Sequence, residues 1–186
     1  MKRIFDIVFA VVLFLITSIP MLVIAFMVKI TSRGPLLYWS DRVGIQNKIF
    51  KMPKFRTMFT DTPAVATHLL ENADRHVTSV GSFLRKLSLD ELPQLWSILK
   101  GDMSLVGPRP ALYNQYDLIS LRTEKGIHRI LPGVTGWAQI NGRDDILIPL
   151  KVEYDEFYLK NRSFLFDMKI IFLTFAKAIK AEGVKH

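Results

Sequence analysis

Asp90 and Glu91 are adjacent carboxylates in the stretch Arg85-Lys86-Leu87-Ser88-Leu89-Asp90-Glu91-Leu92-Pro93-Gln94-Leu95, with Arg85 just upstream of them. Further along, Arg109 stands between Pro108 and Pro110. The pattern puts both acids in the first turn of an expected helix. Free backbone amides there favour an ionised carboxylate and can also receive phosphate oxygens. An ionised aspartate can act as a nucleophile toward phosphorus. It can also ligate Mg2+, which takes one or two carboxylates together with substrate phosphate. Guanidinium forks match phosphate oxygens in bidentate fashion, so Arg85 and Arg109 are natural partners for such a substrate. Proline on both sides restricts the backbone at Arg109 and aims its side chain.

The same residues also have a purely structural reading. Ser88-Leu89-Asp90-Glu91 matches a capping box, with Ser88 as N-cap and Glu91 at the third helical position. Acids in a first turn complement the helix dipole whether or not they react. Arg85 can belong to a solvated helix face with Lys86. Lys51, Lys54 and Arg56 form a basic cluster that suits phosphates or anionic head groups as well as plain solvent. Arg143, after the Asn141-Gly142 turn, can hold an anion. His68, His76 and His128 have no metal-ligand spacing, and Trp137 reads as packing rather than as a base-stacking platform.

These residues need a scaffold, and the chain begins with an apolar one. Met1-Lys2-Arg3 leads into a run from Ile7 to Val28 without a charged residue, closed by Lys29. It is long enough to cross a hydrocarbon core and too long, without a small-x-small site, for a cleaved signal. Thr17-Ser18-Ile19-Pro20 interrupts it, and Pro20 predicts a kink whose freed backbone groups the Thr17 and Ser18 hydroxyls can satisfy. Basic residues flank both ends, Lys2 and Arg3 before and Lys29 and Arg33 after. Since Lys and Arg favour the cytoplasmic side, a helix that dips in and returns competes with an ordinary span.

Beyond the Ser32-Arg33-Gly34-Pro35 turn, Leu36–Trp39 and Lys48–Phe50 read as strands of a hairpin around Asp41-Arg42-Val43-Gly44. Ser82–Lys100 is helical in pattern, interrupted near Ser88 and closed by Gly101. Residues 102–110 read as a loop, 112–130 as holding a helix, and 151–159 as a helix. Turns are expected on both sides of Trp137–Ile140. Phe164–Lys180 is apolar but too often charged for a span, which suits an interfacial amphipathic helix. The expected architecture is a mostly helical α+β fold. It has a membrane-anchoring segment at 1–31 and one compact domain at 32–186 that includes the C-terminal helix 164–180.

Composition fits a membrane-associated protein with a real polar domain: 49% hydrophobic and 23% charged residues in 186, with a formal net charge of +8. A basic surface fits anionic lipid or phosphorylated substrates; without an RNA-binding or zinc-finger motif, nucleic acid is not expected. Cysteine is absent, which excludes disulfides and thiolate metal sites.

Four segments resemble the monotopic bacterial sugar transferases, the polyprenyl-phosphate phosphoglycosyl transferases. They are Arg42-Val43-Gly44 with Lys54-Phe55-Arg56-Thr57-Met58; Phe83–Leu95 running into Lys100–Pro110; Pro132–Arg143; and Tyr154-Asp155 through Asp167–Ile170. With the apolar start they span nearly the whole chain.

The resemblance implies transfer of a sugar 1-phosphate from a UDP-sugar to undecaprenyl phosphate, with release of UMP, Mg2+ and a covalent intermediate. The implied setting is the cytoplasmic face of the bacterial inner membrane, at the start of glycoconjugate or polysaccharide assembly. It implies Asp90 as nucleophile and Mg2+ ligand, and Glu91 as base or proton carrier. Arg85, Arg109, Lys54 and Arg56 would support phosphate, and Gln139 and Arg143 are candidates for a nucleotide-sugar loop. The segment with Ser18 and Pro20 is similar to the family's re-entrant break, although Ile19 intervenes, and this favours the re-entrant form. Pro53 stands where an aromatic usually precedes the Lys-Phe-Arg segment. The donor sugar is open, and so is a homodimer, to which no particular residue points.

Overall fold

A computed structural model describes residues 1–62, 73–142 and 146–180; His68 and Arg143 lie outside them. Helix α1 (Lys2–Thr31) is the longest element, about 45 Å at the usual helical rise. It runs through Ser18 and Pro20 without ending there. The hydroxyls of Thr17 and Ser18 bond the carbonyls of Leu13 and Leu15 at 2.7 Å each, rather than the Ile16 carbonyl that Pro20 leaves without its helical donor.

α1 is fastened to the polar domain at both ends. At its start, Lys2 pairs with Asp167 at 2.6 Å and Arg3 donates to the carbonyls of Leu99 and Met103. Asp6 is buried, accepting from the Ser104 hydroxyl at 2.8 Å and the Leu105 amide at 3.3 Å. At its other end, Arg56 donates to the carbonyls of Ser32 and Arg33. One face of α1 feeds two apolar clusters: Ala10 joins Ile98, Met103 and Ile170, while Ile24 and Val28 join Phe55 and Leu84. The opposite face leaves Ile16, Ile19, Leu22 and Phe26 mostly exposed.

Strands β1 (Leu37–Val43) and β2 (Ile49–Phe55) pair antiparallel, Tyr38 opposite Lys54 and Trp39 opposite Pro53. Both are longer than expected, and the turn falls at Gly44–Lys48 rather than at Asp41–Gly44. A two-stranded sheet has only edges, which is where proline is tolerated, so Pro53 sits inside β2 without ending it. The short helix α2 (Ala73–His76) leads to α3 (Ser79–Lys86), whose N-cap is Thr78, its hydroxyl accepting from Gly81 at 2.9 Å. A side chain at Gly81 would run into the Thr57 carbonyl, so only glycine lets α3 lie this close to the segment after β2.

The expected interruption at Ser88 is present and sharper than a capping box allows. Ser88 adopts a left-handed conformation (φ 55°), makes no side-chain cap, and starts a 3-10 turn over Leu89–Gln94 before α4 (Leu95–Lys100). Asp90 and Glu91 therefore sit on a 3-10 turn, not in the first turn of an α-helix. Residues expected as loop include β3 (Ser104–Val106), which pairs in parallel with β4 (Gly133–Thr135). Three-residue strands paired across such a separation leave no alternation for sequence to show. Between them runs α5 (Tyr116–Glu124), shorter than the segment expected to hold it.

Trp137–Asn141 forms α6 between the expected turns. α7 (Ile148–Asn161) extends beyond its expected span at both ends, and α8 (Phe164–Lys180) follows as expected. α8 buries Asp167 and Ile170 while Phe164, Leu165, Phe172 and Phe175 are exposed.

Candidate active site

The 3-10 turn lies against β2, and this contact joins the two acids to their cations. Lys54 donates to Glu91 Oε1 at 2.6 Å, and its Nζ lies 3.9 Å from Asp90 Oδ2. Arg109 Nη2 donates to the same Glu91 oxygen at 2.8 Å. One carboxylate thus holds a lysine from the hairpin and an arginine from the loop after β3. Asp90 is 8% exposed, and its carboxylate accepts no hydrogen bond from the described residues.

The two acids differ electrostatically. Burial alone would raise Glu91, but Arg109 and Lys54, each also hydrogen-bonded to it, outweigh that and hold it well below the ordinary carboxylate range. Burial dominates at Asp90 and pushes it above its ordinary value, against the pull of Lys54, Arg85 and Arg109 and with the push of Glu91. The surroundings thus drive the proton affinities of the neighbouring pair apart. Glu91 is an anion bonded to both cations, and Asp90 is the less stabilised, more basic carboxylate.

Arg109 is aimed by its backbone as much as by its neighbouring prolines. Every carbonyl from Pro108 to Ala111 is taken: Pro108 by the Gly133 amide at 2.9 Å, Arg109 by Arg122 at 2.8 Å, Pro110 by Arg42 at 3.1 Å, and Ala111 by the Val43 amide at 3.0 Å. Arg122 is itself buried and held by Asp155 through Nη2 at 2.6 Å and Nε at 3.0 Å. Asp155 is 1% exposed, and its burial outweighs Arg122, leaving its carboxyl above the usual value. Arg42, Arg122 and Asp155 were not among the expected site residues. Arg122 gave no signal in an unremarkable helix, whereas Asp155 stands in one of the four resembling segments.

The other candidates separate. Arg85 donates to the Thr57 hydroxyl at 2.9 Å and lies within electrostatic reach of Asp90, so it borders the site. Arg56, expected beside Lys54, is buried with its guanidinium on Ser32 and Arg33, which places it at the end of α1. Alternation alone would put Lys54 and Arg56 on one side, but β2 ends at Phe55 and does not extend to Arg56. Gln139 lies in α6 beside Gly136, with both polar atoms buried and unpartnered among the described residues, so no hydrogen bond joins it to Asp90 or Glu91.

Residues 1–181 match the family model described as bacterial sugar transferase. The chain belongs to the bacterial sugar transferase family. Among relatives, an uncharacterized sugar transferase of Bacillus subtilis (strain 168), EpsL, is 44% identical, the match covering 100% of this chain and 91% of the relative. The UDP-glucose:undecaprenyl-phosphate glucose-1-phosphate transferase of Escherichia coli (strain K12) is 42% identical over 95% of this chain. The UDP-N-acetylgalactosamine-undecaprenyl-phosphate N-acetylgalactosaminephosphotransferase of Aeromonas hydrophila is 37% identical over 99% of it. The bacterial sugar transferase described here spans only 40% and 45% of those two longer relatives.

Proposed function

We propose that this sugar transferase moves a sugar 1-phosphate from a UDP-sugar to undecaprenyl phosphate, through a covalent intermediate on Asp90, and so initiates bacterial polysaccharide or glycoconjugate assembly. Two relatives are named for reactions of this kind, one with glucose and one with N-acetylgalactosamine. The observation that carries the mechanism is the contrast inside the pair: Glu91 holds Lys54 and Arg109 together, while Asp90 beside them accepts no hydrogen bond from the described residues and is raised by its burial.

In the first step an Asp90 oxygen attacks the sugar-bearing phosphorus, the bond to the bridging oxygen breaks, and UMP leaves with that electron pair. In the second, an undecaprenyl phosphate oxygen attacks the same phosphorus, the acyl phosphate bond breaks, and the Asp90 carboxylate is restored. The product is a sugar linked to the lipid through a diphosphate. Splitting the transfer lets one site serve a soluble donor first and a lipid acceptor second. Lys54, Arg109 and Arg85 supply fixed positive charge where the transferring group carries negative charge. Glu91 is poorly suited to accept a proton while both cations hold it, so its role here is to position them.

Two neighbouring carboxylates and substrate phosphates form a donor set that suits Mg2+, and no cluster of three or more His, Cys, Asp or Glu occurs among the described residues. Asp90 is the residue that would hold the ion, which when bound would neutralise diphosphate charge.

α1 is apolar and long enough to cross a membrane by length and composition. Its two ends, however, are bonded to one polar body, through Lys2, Arg3 and Asp6 at the start and through Arg56 beyond Thr31. A spanning helix would have to pull one end away from those partners. Entry into one leaflet with the exposed face of α1, together with α8 at the interface, keeps them and places the site at phosphate depth on the cytoplasmic face of the inner membrane.

The test is product identity. Incubated with undecaprenyl phosphate, Mg2+ and UDP-glucose or UDP-N-acetylgalactosamine, the protein is expected to release UMP. UDP as the nucleotide product would replace phosphosugar transfer with glycosyl transfer.

A further inference from the structure

The four consecutive residues from Met103 to Val106, just upstream of Arg109, are each bonded by the start of α1. Arg3 donates to the Met103 carbonyl at 3.4 Å, and Lys2 donates to the Val106 carbonyl at 3.2 Å. Between them, the Asp6 carboxylate accepts from the Ser104 hydroxyl and the Leu105 amide. Asp6 follows Lys2 by four positions and Arg3 by three, so helical spacing gathers the three side chains on one face. β3 pairs only with β4, which leaves its other edge in need of partners, and α1 supplies them.

The Val106 carbonyl has two neighbouring donors, and counting hydrogens separates them. The Tyr158 hydroxyl lies 3.2 Å from that carbonyl and 2.7 Å from Asp167 Oδ1. It has one hydrogen, which goes to the shorter contact. The Lys2 ammonium has three, enough for the Val106 carbonyl and for Asp167 Oδ2 at 2.6 Å. Lys2 is therefore the donor that serves the end of β3. From there to Arg109 the chain has no slack. The Gly107 amide donates to the Thr135 carbonyl at 2.9 Å, and a side chain at Gly107 would strike the Leu131 carbonyl. A shift of β3 is thus passed to the guanidinium that meets Glu91.

We propose that Lys2 is a positioning residue for Arg109. The first turn of the apolar helix sets the strand that aims the active-site guanidinium, so α1 supports catalysis as well as anchoring the chain. The assignment rests on the part given to Arg109 in the transfer reaction above.

The Lys2 side chain is 43% exposed, so Lys2→Met tests this without emptying a core position. Thermal melts fix an assay temperature at which each variant is folded. There, kcat should fall on the order of tenfold, because small displacements of a positioned group are costly, while KM for the UDP-sugar stays close to the wild-type value. Lys2→Arg keeps the charge and several donors and should restore most of the rate. No loss in Lys2→Met, a loss that follows only the folded fraction, or a Lys2→Arg variant as slow as Lys2→Met overturns the proposal.

Hydrogen exchange reads the same coupling without turnover. In the full chain without UDP-sugar, Lys2→Met should speed exchange of the amides from Leu105 to Ala111, while those of α3 keep their wild-type rates. Unchanged exchange over that segment, or an equal rise throughout the protein, overturns the proposal. Faster exchange confined to that segment, in a protein that releases no UMP from any UDP-sugar, would uphold the coupling of Lys2 to the Arg109 segment and reject the transfer reaction instead.

Discussion

Removing Arg122 should damage the site from behind, without touching a reacting group. Arg122 gives two nitrogens to Asp155, which is 1% exposed, and a third to the Arg109 carbonyl. Arg122→Ala leaves a buried carboxylate without its counter-ion, which costs roughly 3–5 kcal/mol. It also strips the donor from a carbonyl in the Pro108–Ala111 segment, a further ~1 kcal/mol. For a domain of this size the melting temperature should fall on the order of 10 °C. Asp155→Asn keeps an acceptor for the guanidinium and should cost only about 1–2 kcal/mol.

The two losses also differ in pH dependence. Burial already raises Asp155 above its ordinary 3.8, so its stabilising contribution is complete below 3.8 and is lost as pH rises through the folded value. Without Arg122 that folded value rises further. The deficit of Arg122→Ala should therefore widen as pH rises past the wild-type folded value of Asp155 toward neutrality, while that of Asp155→Asn should not. Thermal melts of detergent-solubilised protein across that range measure both. Equal losses, or a pH-independent deficit in Arg122→Ala, would refute the claim that Arg122 stands against a buried charge.

Other consequences follow from the same contacts. Because its surroundings disfavour the charged form of Asp90, Asp90→Asn should raise the melting temperature at neutral pH while abolishing UMP release, and the gain should shrink as pH falls through the Asp90 value; a lower melting temperature at pH 7 would contradict this. Glu91→Gln loosens Lys54 and Arg109, and kcat/KM should fall roughly 100-fold, since removing a positioned electrostatic contact costs about that much; steady-state kinetics on folded protein test it. Arg56→Ala frees the end of α1, costing roughly 2–4 kcal/mol for its charge-assisted bonds to Ser32 and Arg33, with new protease cleavage near Ser32 as the readout. The chain has no cysteine, so single cysteines at Lys2 and Ser32 can be labelled in sealed inverted vesicles. Both should react from the same side, and opposite sides would restore the spanning helix.

Legibility in the sequence followed how local each cause is. The Asp90–Glu91 pair, the interruption at Ser88, the proline-held Arg109 and the long α1 are set by neighbours within a few positions, and each could be read directly. The Ser88 cap could not, because a capping box and a left-handed break share the same letters. Strands β3 and β4 are too short for periodicity, and their pairing depends on glycine at Gly133, where a side chain would strike the Gly107 amide. Arg122 and Asp155 meet only after α5 and α7 pack, so neither residue alone showed its purpose. Arg56 looked equivalent to Lys54 in sequence, and only the end of β2 at Phe55 sends the two apart.

The most direct test is to trap the intermediate. Wild-type protein given Mg2+ and its UDP-sugar, with no lipid acceptor, should release close to one equivalent of UMP in a burst. Peptide mass spectrometry should then find a hexose or N-acetylhexosamine phosphate on Asp90, which undecaprenyl phosphate removes. UMP released only when the acceptor is present, with no adduct, or an adduct on a residue other than Asp90, would contradict a covalent mechanism centred on this carboxylate.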